Sequence, residues 1–179
     1  MSYILTYKKV EFHPLDPKIE EIDIEDIAHA LSLLCRANGH FKHFYSVALH
    51  SINCAYEALQ RGYSIRVALG CLLHDGSEAY LADITRPVKK HLPKYLEYED
   101  VLQSKIFEKW IPNLTDEELK QIFEIDDTIL YYEFISLFGE KIFDYTPSIK
   151  SNPRFDLMDF STVEKEFLEL FAQLIEKVK

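Results

Sequence analysis

Glycine and proline are scarce, 5 and 7 of 179 residues, which excludes a collagen-like or linker-dominated chain. Cysteine is scarcer still: Cys35, Cys54 and Cys71, with no CxxC pair among them. All three fall within apolar helical patterns. They read as small buried hydrophobes in a reducing compartment, not as a zinc site or a disulfide framework. No apolar run is long enough to span a bilayer. Met1 to Phe12 lacks the basic start and long apolar stretch of a signal peptide. The expectation is therefore a soluble, cytoplasmic protein. Positive charge is in short supply as well: 20 Lys and Arg against 30 Asp and Glu leave a formal net charge of −10. That disfavours a nucleic-acid backbone or an anionic membrane as the main partner, but leaves room for a small phosphorylated substrate.

What the chain does have is apolar residues, 47% of the total, enough for a substantial core in one domain spanning residues 1–179. Residues 3–12 are β-branched and aromatic and predict a short hairpin or extended arm within an appendage of residues 1–20. Asp23 then caps a helix from Ile24 to Cys35. A polar loop from Arg36 to His43 leads to a second helix, Ser46 to Arg61, which Gly62 closes. Ser64 caps a third that runs to His74 or a few residues beyond. Ala82 to Pro93, holding Arg86-Pro87 and Leu92-Pro93, reads mostly as loop. Tyr95 to Trp110 is a fourth helix. Thr115 with Glu118 forms a capping box for a fifth, Asp116 to Phe138. Residues 139–179 read as an ordered excursion followed by a last helix, Thr162 to Val178, with Ser161 and Glu164 as its capping box. The fold class is all-α, a bundle of five to seven helices. An apolar strip on the fourth or last helix would suit a homodimer.

The chain is organised around Leu72-Leu73-His74-Asp75-Gly76-Ser77-Glu78. An apolar helical pattern, Ile65 to Leu73, leaves the core and ends on ionisable groups. Burying such groups is costly unless a partner or a metal compensates. An adjacent His and Asp offer an imidazole nitrogen and a carboxylate oxygen to one divalent cation. A His-Asp pair by itself is equally well a helix end facing solvent, but two further features count. His50 lies among Val47, Ala48, Leu49 and Ile52, on or beside a buried face. It could be a core histidine bonded to a carbonyl, yet the short link between helices two and three forces an antiparallel pair and brings it towards His74. Asp126 lies on the edge of the apolar stripe Ile122, Ile125, Ile129 and Leu130, with Asp127 further towards solvent; either could complete the cluster.

Taken together, His50, His74-Asp75 and Asp126 resemble the H…HD…D signature of the HD-domain metal-dependent phosphohydrolases. The stretches Asp26–Leu31, Tyr45–Ser51 and Leu73–Pro87 are similar to a compact branch of that superfamily related to the 5′-deoxynucleotidases of the YfbR type. The resemblance covers roughly residues 5–138. It implies an enzyme, with His50, His74, Asp75 and Asp126 binding one divalent cation, and Glu78 moving protons beside the catalytic Asp75. Two imidazoles and two carboxylates suit Mn, Fe, Co, Ni or Zn, and Mg less well. The resemblance also implies that Arg36 binds the phosphate and that Asp83 lies near the sugar. Arg86 and His43 depart from the branch's pattern and are read as added phosphate contacts. The expected reaction is 5′-nucleotidase hydrolysis of a (deoxy)nucleoside monophosphate. Deoxynucleoside triphosphate triphosphohydrolysis is the alternative within the same chemistry, and a non-catalytic nucleotide-binding module the alternative from another class.

Overall fold

The computed structural model describes residues 2–178. Two short strands, β1 (Ile4–Leu5) and β2 (Glu11–Phe12), pair antiparallel with Ile4 opposite Phe12, so the N-terminal segment is the expected hairpin. Only Phe12 of the four is buried, and its ring stacks on Tyr80 at 4.1 Å between centroids. The arm is thereby fastened a few residues past the His-Asp turn.

Eight α-helical segments follow among the described residues: α1 (Ile24–Leu33), α2 (Val47–Gln60), α3 (Ile65–Leu73), α4 (Glu78–Leu81), α5 (Arg86–Lys89), α6 (Pro93–Trp110), α7 (Asp116–Leu137) and α8 (Phe160–Val178). The protein is an all-α bundle with a minimal two-stranded sheet. Side-chain caps start α1, α2, α3 and α7: Asp23 accepts from Glu25 N, Ser46 from Leu49 N and Ser64 from Val67 N, while Thr115 and Glu118 form the full capping box. The last helix begins two residues earlier than the sequence suggests. Asp159 supplies its cap, accepting from Ser161 N at 3.0 Å, so Ser161 is inside the helix rather than before it. Residues 86–89, expected as loop, form the short α5, because Pro87 is well placed in a first helical turn that lacks a partner for its N–H anyway. For the same reason Pro93 opens α6 two residues ahead of Tyr95.

α3 is the hub. It packs on α2, α6, α7 and α8, and every residue from Val67 to Leu73 is buried. Each buried Leu of this helix contributes about 1.5–3 kcal/mol over leaving it in water. Gly70 lets α7 come in against α3, since a Cβ there would run into the Ile122 side chain of α7. Residues 139–159 are an ordered excursion that meets α7 through Phe143, Thr146 and Pro147 and then α2: Glu57 accepts the N–H groups of Lys150 and Ser151, and Asn53 bonds both backbone groups of Arg154. His29, on α1, stacks on Tyr7 and meets Glu164 of α8, a structural role. No described helix is long and apolar enough to cross a membrane.

Candidate metal centre and phosphate pocket

α3 stops at Leu73, and the chain turns sharply before α4 starts at Glu78. Gln103 of α6 secures the turn by donating to the Leu73 carbonyl at 2.8 Å and accepting from Ser77 N at 3.1 Å. Gly76 fits there because a Cβ would press on the Leu73 carbonyl and on Ile106. Glu78 thus does not lie on a continuation of α3, yet the turn delivers it and His74 to one cavity of about 620 Å³.

His74, Asp75 and Asp126 line that cavity, and the wholly buried His50 meets them. His50 Nε2 lies 3.3 Å from His74 Nε2, 3.1 Å from Asp126 Oδ1 and 3.8 Å from Asp75 Oδ2. His74 Nε2 lies 3.4 Å from Asp75 Oδ1 and 3.7 Å from Asp126 Oδ1. The other nitrogen of each ring is taken: His50 Nδ1 bonds Glu133 at 2.6 Å, and His74 Nδ1 bonds the Cys71 carbonyl at 2.7 Å. With their Nδ1–H groups donating outward, both Nε2 lone pairs point at each other and at two carboxylates. Such a meeting of acceptors needs a proton or a cation between them. Burial alone would lower the His50 and His74 pKa values, but the acids around them outweigh it and hold both above the ordinary imidazole value. Asp126 is pulled the other way: burial would raise its pKa, and the bonds to His50 and His74 keep it well below the usual carboxylate range.

Asp126 and Asp127 separate clearly. The Asp126 side chain is 15% exposed and faces the histidines, whereas Asp127 is 45% exposed and its carboxylate meets Arg86 at 2.7 Å. Cys54 adds an overlapping donor set. His50, Cys54 and His74 each offer one atom, all within 4.8 Å of one another, so this buried group could hold a metal ion. The sequence had placed Cys54 only as a buried hydrophobe. Burial pushes its thiol up to about 11, which keeps it protonated and makes it the weakest donor of the cluster. The donor chemistry, two imidazoles and two carboxylates in a closed space, fits a divalent cation.

Glu78 is 5% exposed, and its Oε2 is buried without a hydrogen-bond partner. Burial, then the charges of Asp75 and Asp83, raise its carboxyl well above the ordinary value. It faces the cavity. Lys89 Nζ stands 3.6 Å from it and is held by Glu99 at 2.7 Å.

Arg36, Asp83 and Arg86 all line the cavity. Arg36 bridges Asp75 and Glu133 at 3.2 Å each, and Arg86 spans Asp126 and Asp127. His43 is not brought to the cavity: its Nδ1 bonds the Phe44 carbonyl at 3.0 Å, and the loop instead turns Phe41 inward. Two residues that sequence reasoning missed belong to the site. Glu133 is fully buried behind His50 and Arg36, and its signal was position: it falls seven residues, about two turns, after Asp126 on the same helix. Gln103 carried no local signal at all.

The cavity lining is anionic. Asp75, Glu78, Asp83, Glu99, Asp100, Asp126 and Asp127 face Arg36, Arg86 and Lys89. The far wall is apolar, with Phe41, Phe123, Leu130 and Phe134. Fold and site together define an all-α protein with a buried histidine–carboxylate centre opening onto a half-apolar cleft. No family model matches the chain. Over 110 residues it is 39% identical to the uncharacterized protein YfdR of Escherichia coli K12, a match covering 62% of this chain and 59% of that protein. Over 121 residues it is 35% identical to an uncharacterized protein of Rhodobacter capsulatus, covering 64% of this chain and 62% of that one. The chain therefore spans about three-fifths of the length of these curated relatives.

Proposed function

We propose that the protein is a metal-dependent phosphohydrolase of the HD type that removes the 5′-phosphate of a (deoxy)nucleoside monophosphate. The observation that carries this reading is the meeting of His50, His74, Asp75 and Asp126, from three separate segments, around a space that only a proton or a cation can reconcile. These four residues would hold the ion; Cys54, a protonated thiol, would pack behind it. When bound, a divalent ion supplies Lewis-acid polarisation of the phosphoryl group and a water of lowered pKa.

The chain's own groups divide the remaining work. Arg36 presents a planar guanidinium that suits two phosphate oxygens. Glu78, its carboxyl pKa raised by burial, gives its proton to the ester oxygen as the P–O bond breaks, so the nucleoside leaves as an alcohol. The attacking water then returns a proton to Glu78. Asp83 accepts a sugar hydroxyl. The aromatic wall of Phe41, Phe123 and Phe134 receives the flat apolar body of the substrate and excludes water from one side of the cleft.

Charge favours the monophosphate over the triphosphate. Arg86 and Lys89, the other cations lining the cavity, are already paired with Asp126, Asp127 and Glu99. A triphosphate, with its larger negative charge, would meet uncompensated carboxylates. The test is a screen of nucleoside mono-, di- and triphosphates with Mn²⁺, Co²⁺, Ni²⁺, Zn²⁺ and Mg²⁺, reading orthophosphate and tripolyphosphate separately. Orthophosphate from 5′-monophosphates is expected. Tripolyphosphate as sole product would replace this reading with the triphosphohydrolase, and nucleotide binding without turnover under any metal would leave a binding module.

A further inference from the structure

Glu133 has no part in the proposed hydrolysis, yet it touches both the cation centre and the phosphate-facing arginine. It sits two turns beyond Asp126 on α7 and is wholly buried. One oxygen bonds His50 Nδ1 at 2.6 Å; the other bonds Arg36 Nε at 3.2 Å. Arg36 in turn reaches Asp75 at 3.2 Å through Nη1. A single carboxylate thus touches a residue of the cation centre with one oxygen and the phosphate-facing arginine with the other.

We infer that Glu133 is a positioning residue that sets the cation centre and the phosphate site together. The inference rests on the phosphohydrolase reading and deepens it. The charged acceptor keeps the His50 proton on Nδ1, which leaves Nε2 bare and aimed at His74 and Asp126. Its second oxygen holds the guanidinium of Arg36 at the rim of the cavity. This arrangement also limits a competition. Arg36 has two acidic partners, and with Glu133 in place it does not depend on Asp75 for its counter-charge. Asp75 is then free to turn to a cation while Arg36 stays where a phosphate can meet it. Removing the Glu133 charge leaves Arg36 paired with Asp75 alone, so the arginine and the cation draw on the same carboxylate.

The experiment uses the full chain and the near-isosteric Glu133→Gln variant. Mn²⁺ affinity is measured by titration calorimetry without substrate, inorganic phosphate affinity at saturating Mn²⁺, and melting temperature as a control. Glu133→Gln should weaken Mn²⁺ binding about tenfold to a hundredfold, the usual effect of losing such an outer partner, and should weaken phosphate binding as well. Mn²⁺ and phosphate affinities within twofold of the unsubstituted protein's would overturn the inference while leaving the phosphohydrolase reading intact. Failure of the unsubstituted protein to bind Mn²⁺ would overturn both. Should Glu133→Gln fold poorly, ¹⁵N NMR of the unsubstituted, Zn²⁺-loaded protein gives an independent answer. A His50 ring proton on Nδ1 in a strong hydrogen bond is expected, and coordination through Nδ1 would overturn the inference.

Discussion

α2 carries two buried polar networks about two turns apart, and they are built on opposite principles. At Glu57 the carboxylate is fully buried, and donors surround it: Arg61 Nε at 2.7 Å, Lys150 N at 3.0 Å and Ser151 N at 2.7 Å. Donors and acceptors balance, and the product is a staple that holds residues 139–159 onto the bundle. At His50 acceptors face acceptors: two imidazole nitrogens and two carboxylates crowd one space, with an unpartnered Glu78 oxygen nearby. Burial of charge is common to both ends and so distinguishes neither. The surplus of acceptors does, because such an arrangement is stable only where a proton or a cation supplies positive charge between them.

Substitutions at the two ends of α2 should act on different properties, the largest effect falling at the His50 end. Asp75→Ala removes one of the crowded acceptors. It should abolish metal-dependent phosphate release, a loss of more than about a hundredfold given that outer partners alone reach that figure, with the circular-dichroism spectrum unchanged. Appreciable turnover in this variant would mean that the cluster is a structural knot of the Glu57 kind. Glu78→Gln should reduce kcat by about 10²–10⁴ while Mn²⁺ affinity in calorimetry is retained. A group that must be protonated and whose pKa is raised gives a kcat that falls as pH rises through that value, so the pH–rate profile of Glu78→Gln should lose its alkaline limb.

At the other end of α2 the expected effects are on stability. Glu57→Gln should cost about 2 kcal/mol in urea unfolding, since donors lose a charged acceptor, and should leave Mn²⁺ affinity alone. Burial would raise the Glu57 pKa, but the bonds from Ser151, Arg61 and Lys150 lower it below its ordinary value of 4.5. A depressed carboxylate contributes stability that is present above the unfolded-state value and lost as pH falls through the folded one. The smallest effect follows: Glu57→Gln should flatten the acid side of the stability profile below about pH 4.5, where the unsubstituted protein weakens.

The helices were legible because their signals are local. Asp23, Ser46, Ser64 and Thr115 stand beside the backbone groups they satisfy, and the apolar stripe of α7 repeats within a few residues. His50 and His74-Asp75 were legible for a related reason: polar residues inside apolar helical runs stand out against their neighbours. The choice between Asp126 and Asp127 was not. One residue apart on a helix, they differ by about 100° of rotation, and only the docking of α7 on α3, permitted by Gly70 against Ile122, turns Asp126 towards the histidines. His43 misled because a polar loop offers no periodicity to say which side chain turns inward; packing selected Phe41.

By itself the order of residues determined an all-α chain, the starts of α1, α3 and α7 and a short set of ionisable side chains embedded in apolar runs. These follow from propensities, caps and periodicities that act over three or four residues. Tertiary structure alone decided that Glu133 stands behind His50, that Gln103 clasps the turn after α3 and that Arg36 lies between two acids. Those pairings join residues tens of positions apart, and their geometry exists only once the helices have packed.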